Sequence, residues 1–96
     1  MPKNKKEPSL KTEVTVLNNH GLHMRFAGSL VAVTSSFNAD IFLSKGRHTV
    51  NAKSILDIVS LSAAQGAKLT LLASGDDASD ALAATSTFFS EYTGDK

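Results

Sequence analysis

Two histidines and an arginine stand close together in Asn18-Asn19-His20-Gly21-Leu22-His23-Met24-Arg25, and a serine stands three residues before an aspartate in Ser54-Ile55-Leu56-Asp57. His23 is the residue to examine first. It lies just ahead of a stretch in which Ala27, Leu30, Val31 and Thr34 recur at helical spacing, which predicts a helix from about Met24 to Ser35. The first N–H groups of a helix have no intrahelical acceptor, and the helix dipole adds positive character at the same end. Together they form an anion site. A ring nitrogen placed there can act as a nucleophile, and a phosphate it gained would be held by the N–H groups of Met24 and Arg25. The Arg25 guanidinium can add a charge-assisted contact. This is chemistry suited to reversible phosphoryl transfer, because a phosphorylated imidazole is a labile donor. A histidine before a helix can equally do no more than cap it, and position alone leaves both readings open.

Ser54 has its own local logic. It precedes a short apolar-periodic stretch over residues 54–61, with Ser54 as N-cap and Asp57 at the third helical position. Such a serine is either an ordinary cap or a modification site. His20, three residues before His23, is expected to stay exposed or to hydrogen-bond near His23 and influence it. Two histidines with no carboxylate beside them do not make a metal site, and no metal is expected. His48 reads as a strand residue.

The elements that must position these groups follow from patterning. Leu10, Thr12, Val14 and Val16 alternate with polar residues, as a half-buried strand does. Residues 18–22 carry turn chemistry. Residues 40–44 and 47–50 are short strands around Lys45-Gly46, and residues 68–73 alternate again. From Ala78 onward, Ala81, Leu82, Thr85, Phe88, Phe89 and Tyr92 make one apolar stripe, with Ser74, Asp76 and Asp77 suited to the positive end of that last helix. The order is β-α-β-β-α-β-α, without internal repeats. Amphipathic helices need a surface to cover, and alternating strands supply one, so the fold class is α+β: a four-stranded antiparallel sheet with helices on one face.

Composition narrows the function. Ninety-six residues make one domain. A basic tail over residues 1–9 is expected to be disordered, followed by the domain over 10–96. The formal net charge of +1 does not suit a general nucleic-acid binder, and the absence of cysteine excludes disulfides and thiol catalysis. Phe42 is the only strand aromatic, too few for an RNA-binding sheet. No apolar run approaches the roughly 20 residues that span a bilayer, and the N-terminus does not read as a secretory signal. A cytoplasmic protein is the expectation.

With these elements in place, Gly21-Leu22-His23-Met24-Arg25-Phe26-Ala27 resembles the Gly-Leu-His-Ala-Arg-Pro-Ala signature of the HPr family, the histidine phosphocarriers of the bacterial phosphotransferase system. Val50-Asn51-Ala52-Lys53-Ser54-Ile55-Leu56 is similar to the segment around that family's regulatory serine. The two blocks are in register, and the resemblance covers about Leu10 to Tyr92. It implies an open-faced β-sandwich with three helices. It further implies that His23 takes a phosphoryl group on Nδ1 from enzyme I, charged by phosphoenolpyruvate, and passes it to EIIA domains of sugar permeases. Arg25 would be the electrostatic partner, and Met24 and Arg25 the phosphate-binding pair. Ser54 would be a site for an ATP-dependent HPr kinase/phosphorylase. Such a protein is a carrier and not a turnover enzyme; it needs no cofactor, works as a monomer and docks its partners through Met24, Phe26, Gly28, Ile55 and Leu56. A regulatory paralogue of the nitrogen branch, or an interaction module that has lost transfer, would share the same residues.

Two departures stand out. Phe26 replaces the signature proline, restoring an N–H and adding a large apolar side chain; it either joins the core or enlarges the docking surface, and a partly exposed contact residue is the expectation. The first helix carries only Arg25 as a basic residue, and Asp57 adds a negative charge nearby. Docking is therefore expected to rest more on apolar contact than on charge.

Overall fold

Alternation along the strands and periodicity along the helices are realised as seven elements in residues 9–93, the part of the chain that the computed structural model describes. They are β1 (Ser9–Thr15), α1 (Met24–Thr34), β2 (Asp40–Lys45), β3 (His48–Asn51), α2 (Ile55–Ser60), β4 (Lys68–Ser74) and α3 (Ala78–Glu91). The basic tail expected over residues 1–9 lies outside the described residues except for Ser9. That residue opens β1 opposite Ser74 and so belongs to the sheet.

The strands form one antiparallel sheet in the order β1-β4-β2-β3. Its register puts like with like. Val14 lies opposite Leu69, Leu43 opposite both Leu71 and Val50, and Ile41 opposite Ala73. All of these are buried, so one face of the sheet is a continuous apolar floor. The opposite face carries Lys11, Glu13 and Thr49 together with Phe42, all exposed. Helix α3 packs across β1 and β4, α1 packs against both α3 and α2, and α2 abuts β3. The result is a four-stranded antiparallel sheet with three helices over one face, as the pattern of elements led one to expect.

Phe26, Leu30 and Phe89 from the helices meet Ile41, Leu43, Leu69 and Leu71 from the sheet in the centre of the core. Each such side chain contributes about 1.5–3 kcal/mol by leaving water. Thr34, fully buried at the end of α1, donates its hydroxyl to the Ala52 carbonyl at 2.9 Å and the Val31 carbonyl at 3.3 Å. That bond ties the end of α1 to the chain entering α2.

Asp77 stands at the start of α3, where its charge was expected. It occupies the N-cap position of α3 but makes no side-chain cap bond. Its carboxylate instead accepts the N–H groups of Asn38 at 2.9 Å and Ala39 at 2.7 Å, bracing the turn between α1 and β2. The Asn38 N–H above all holds the Asp77 carboxyl below its ordinary range, with the Ala39 N–H and the Lys53 charge acting the same way and partial burial opposing them. Among the described residues, no helix is long and apolar enough to cross a membrane.

Candidate functional site

The approach to α1 is built backbone first. Gly21 adopts φ +67°, and a Cβ there would stand 2.3 Å from the Ala63 carbonyl oxygen. Only glycine meets both conditions. The Leu22 N–H donates to that same carbonyl at 3.1 Å, and the His23 N–H donates to the Gly21 carbonyl at 3.0 Å. Asn18, fully buried, donates its Nδ2 to the Gly21 carbonyl at 2.8 Å. Gln65 holds the outer part of the loop, donating Nε2 to the Leu17 carbonyl and to Asn19 Oδ1, each at 3.0 Å. The loop that delivers His23 is therefore fixed from the side of the α2–β4 connection.

His23 is half-buried, with extended backbone (φ −91°, ψ 177°), and is the N-cap of α1. Its Nδ1 accepts the N–H groups of Arg25 at 3.1 Å and Phe26 at 3.4 Å. Two N–H donors can be accepted only by a lone pair, which assigns the proton of a neutral ring to Nε2. The arrangement turns the Nδ1 lone pair toward the positive end of the helix. The donors are the second and third residues of α1, as N-cap geometry requires. Arg25 is one of them and also belongs to the pair, Met24 and Arg25, expected to hold a phosphate. There is no carboxylate in the first turn of α1 to repel an anion.

The expected site residues fall into three groups. Arg25 and Met24 are exposed beside His23, Met24 at 57% of its surface. Arg25 is thus placed next to His23 by its own backbone hydrogen bond. His20 is exposed, and its ring meets that of His23 edge to face with centroids 5.7 Å apart. Among the described residues, no cluster of histidines and carboxylates that could hold a metal ion occurs.

Phe26 corrects the expectation of a surface contact residue. It is 1% exposed, and its ring lies 4.9 Å from that of Tyr92, 5.3 Å from Phe88 and 5.4 Å from Phe89, measured between centroids. The reason is periodicity: Phe26 sits one turn before Leu30, on the stripe of α1 that faces the core. It is part of the clamp between α1 and α3, and its backbone rather than its ring reaches the site. Gly28 is half-buried with open space where a Cβ would project. Leu56 is 72% exposed, whereas Ile55 is half-buried and packs against the core.

Ser54 is the N-cap of α2 and accepts the Asp57 N–H at 3.3 Å. Asp57, in the first turn of the same helix, turns its carboxylate to the Asn51 N–H at 3.3 Å. Sequence reasoning missed Asn18 and Gly21 as parts of the site, taking them as turn residues. The need for glycine at 21 comes from Ala63 across the fold, and Asn18, whose partner Gly21 is only three residues away, is set apart by its burial.

Comparison with known proteins adds an independent observation. Residues 10–91 match the family model described as the PTS HPr component phosphorylation site. The chain is 42% identical over 82 residues to the phosphoryl donor subunit DhaM of a PEP-dependent dihydroxyacetone kinase from Klebsiella michiganensis, covering 85% of this chain but only 17% of that protein. It is 39% identical over 73 residues to the phosphocarrier protein NPr of Shewanella violacea, covering 76% of this chain and 80% of the relative. A solved structure of a phosphocarrier protein HPr from Bacillus anthracis superposes with a TM-score of 0.80 at 38% identity, covering 84% of this chain and 96% of the other.

Proposed function

This chain belongs to the HPr family of phosphotransferase-system components, and on that premise we propose that it carries phosphoryl groups between proteins on His23. The observation that carries the reading is the cap geometry: Nδ1 of His23 faces two helix N–H groups, at 3.1 and 3.4 Å, with no carboxylate in the first turn. The Nδ1 lone pair attacks phosphorus on a charged donor protein, enzyme I recharged by phosphoenolpyruvate. A nitrogen–phosphorus bond forms, and the bond from phosphorus to the donor breaks with its electron pair staying on the donor. The His23 proton stays on Nε2 throughout. The new phosphoryl oxygens come to lie where the N–H groups of Arg25 and Phe26 point, and the Arg25 side chain adds charge. The second transfer, to an EIIA domain, reverses these steps with Nδ1 as leaving group. The protein is a substrate and donor for phosphotransferases and acts in the cytoplasm.

Docking in this reading uses the exposed apolar side chains of Met24 and Leu56, with the open surface at Gly28 between α1 and its partner. Ser54 is proposed as a second, regulatory phosphorylation site for an ATP-dependent HPr kinase/phosphorylase. A carrier of a regulatory branch is a second reading, favoured by the likeness to NPr.

The test is to incubate the protein with phosphoenolpyruvate and its cognate enzyme I and to assay acid-labile phosphate. Label is expected in the parent protein and absent in His23→Ala; no label in the parent, or equal label in the variant, overturns the reading. A parallel incubation with ATP and HPr kinase is expected to give acid-stable phosphate that disappears in Ser54→Ala. Offering the His23-labelled protein to EIIA domains of a sugar permease and of the nitrogen branch separates the two readings.

A further inference from the structure

We propose that Phe26 is a positioning residue for phosphoryl transfer, its backbone N–H supplying a donor to Nδ1 of His23 and then to the phosphoryl group. The proposal rests on the carrier reading and deepens it. Three observations meet at this residue. Its N–H is one of the two donors on Nδ1, at 3.4 Å. Its side chain points the other way, into the core, where only 1% of it is exposed. The ring is packed edge-on by three rings of α3 and its C-terminal cap: Tyr92 at 77° to its plane, Phe89 at 65° and Phe88 at 61°.

The physical consequence is that one residue couples the site to the far end of the chain. Edge-to-face pairing is one of the preferred geometries of aromatic rings, so each such contact favours a defined ring placement. A ring packed by three others fixes the Cα of Phe26 and with it the direction of the Phe26 N–H toward Nδ1, while the next N–H, of Ala27, donates to the His23 carbonyl at 2.9 Å and closes the first turn. The proline of the signature at this position has no N–H and could supply no such donor. This chain therefore offers its phosphohistidine one more backbone donor, and the donor is held in place by the last turn of α3. When the phosphoryl group forms, the Phe26 hydrogen bond changes from a neutral acceptor to an anionic oxygen, and such bonds are the stronger kind. The additional donor stabilises the phosphorylated form and makes it a weaker donor than it would be with proline in the same place.

Two variants separate the donor from the ring. Phe26→Pro removes the N–H from a first-turn position that tolerates proline, and Phe26→Leu keeps the N–H while releasing the aromatic clamp. In Phe26→Pro, the phosphoryl-exchange equilibrium with enzyme I is expected to shift about fivefold toward the unphosphorylated protein, the difference between a charge-assisted hydrogen bond and the neutral one it replaces. In Phe26→Leu the shift is smaller and of the same sign. The spectroscopic signature is read in the parent protein: the Phe26 amide proton and the His23 Nδ1 nitrogen move together in NMR spectra when phosphoenolpyruvate and enzyme I are added. A merely structural Phe26 would alter the unfolding midpoint of both variants and leave that paired movement and the exchange equilibrium alone. A labelled parent whose Phe26 amide does not move, or a folded Phe26→Pro variant with unchanged equilibrium, overturns the proposal and spares the carrier reading. A parent that takes no label overturns the carrier reading itself, and this proposal with it.

Discussion

Helices α1 and α2 both begin with a side chain that accepts the helix's own N–H groups, yet the two starts are built in different ways. His23 accepts two N–H groups, and the chain around it is held by the core through Phe26 and by a neighbouring loop through Gly21 and Ala63. Ser54 accepts one, at 3.3 Å, and leads a helix of six residues. A phosphate at His23 would meet donors and no first-turn carboxylate. A phosphate at Ser54 would displace the cap and face Asp57, whose charge lies in the same turn. The difference teaches that a helix N-terminus is a better or worse anion site according to what else the turn carries. In the proposed reading the start of α1 would suit repeated loading and unloading, and the start of α2 a modification that changes the surface.

If that contrast is right, perturbing the support of α1 is far more damaging than perturbing the cap of α2. Phe26→Ala is expected to cost about 3–5 kcal/mol, the usual result of removing a buried aromatic ring. Denaturant unfolding would measure it, and a loss below about 1 kcal/mol would show that the clamp to α3 is dispensable. Gly21→Ala is expected to cost about 3 kcal/mol, from a left-handed φ and the contact with the Ala63 carbonyl, and to lower the labelling of His23. Ser54→Ala should cost only about 1 kcal/mol, as cap removals do, and leave labelling of His23 unaltered. Equal losses from Gly21→Ala and Ser54→Ala would erase the contrast.

The third helix start sharpens the comparison with the smallest effect. The Asp77 carboxyl is held below its ordinary range by the Asn38 and Ala39 N–H groups, so the folded protein resists its protonation more than the unfolded chain does. Its contribution to stability is fully present above the ordinary carboxylate value of about 3.9 and is lost as pH falls through the lowered one. Thermal melts of Asp77→Asn should show a smaller decline between pH 5 and 2, counted roughly over that span, than melts of the parent. Parallel declines would mean that the bracket between α3 and the α1–β2 turn adds nothing.

What could be read from the sequence was what local spacing encodes. The stripe of Ala27, Leu30, Val31 and Thr34 located α1, and the spacing of Ser54 and Asp57 located the cap of α2, because both depend on neighbours within one turn. Phe26 was misplaced for an instructive reason. Its position opposite a signature proline suggested the surface, although its spacing from Leu30 put it on the buried stripe. The part Asp77 plays in bracing the α1–β2 turn left no local signal, because its partners, Asn38 and Ala39, are far away along the chain. The same holds for Gly21, whose need for glycine comes from Ala63. Residues joined across the fold by carbonyls and amides leave no mark in the local pattern, since every residue carries both.

The sheet order carries a consequence for how the molecule comes into being. The central strand β4 is the last strand to be synthesised, and both β1 and β2 pair with it along their lengths. A growing chain that has reached α2 can close only the β2–β3 hairpin, and β1 must wait for residues 68–74 before any of its rungs forms. Such non-local pairing slows assembly. The Gly21–Ala63 contact waits for the chain beyond α2 and the Phe26–Tyr92 contact for the end of α3, so the histidine's surroundings are completed only by residues made long after its own helix.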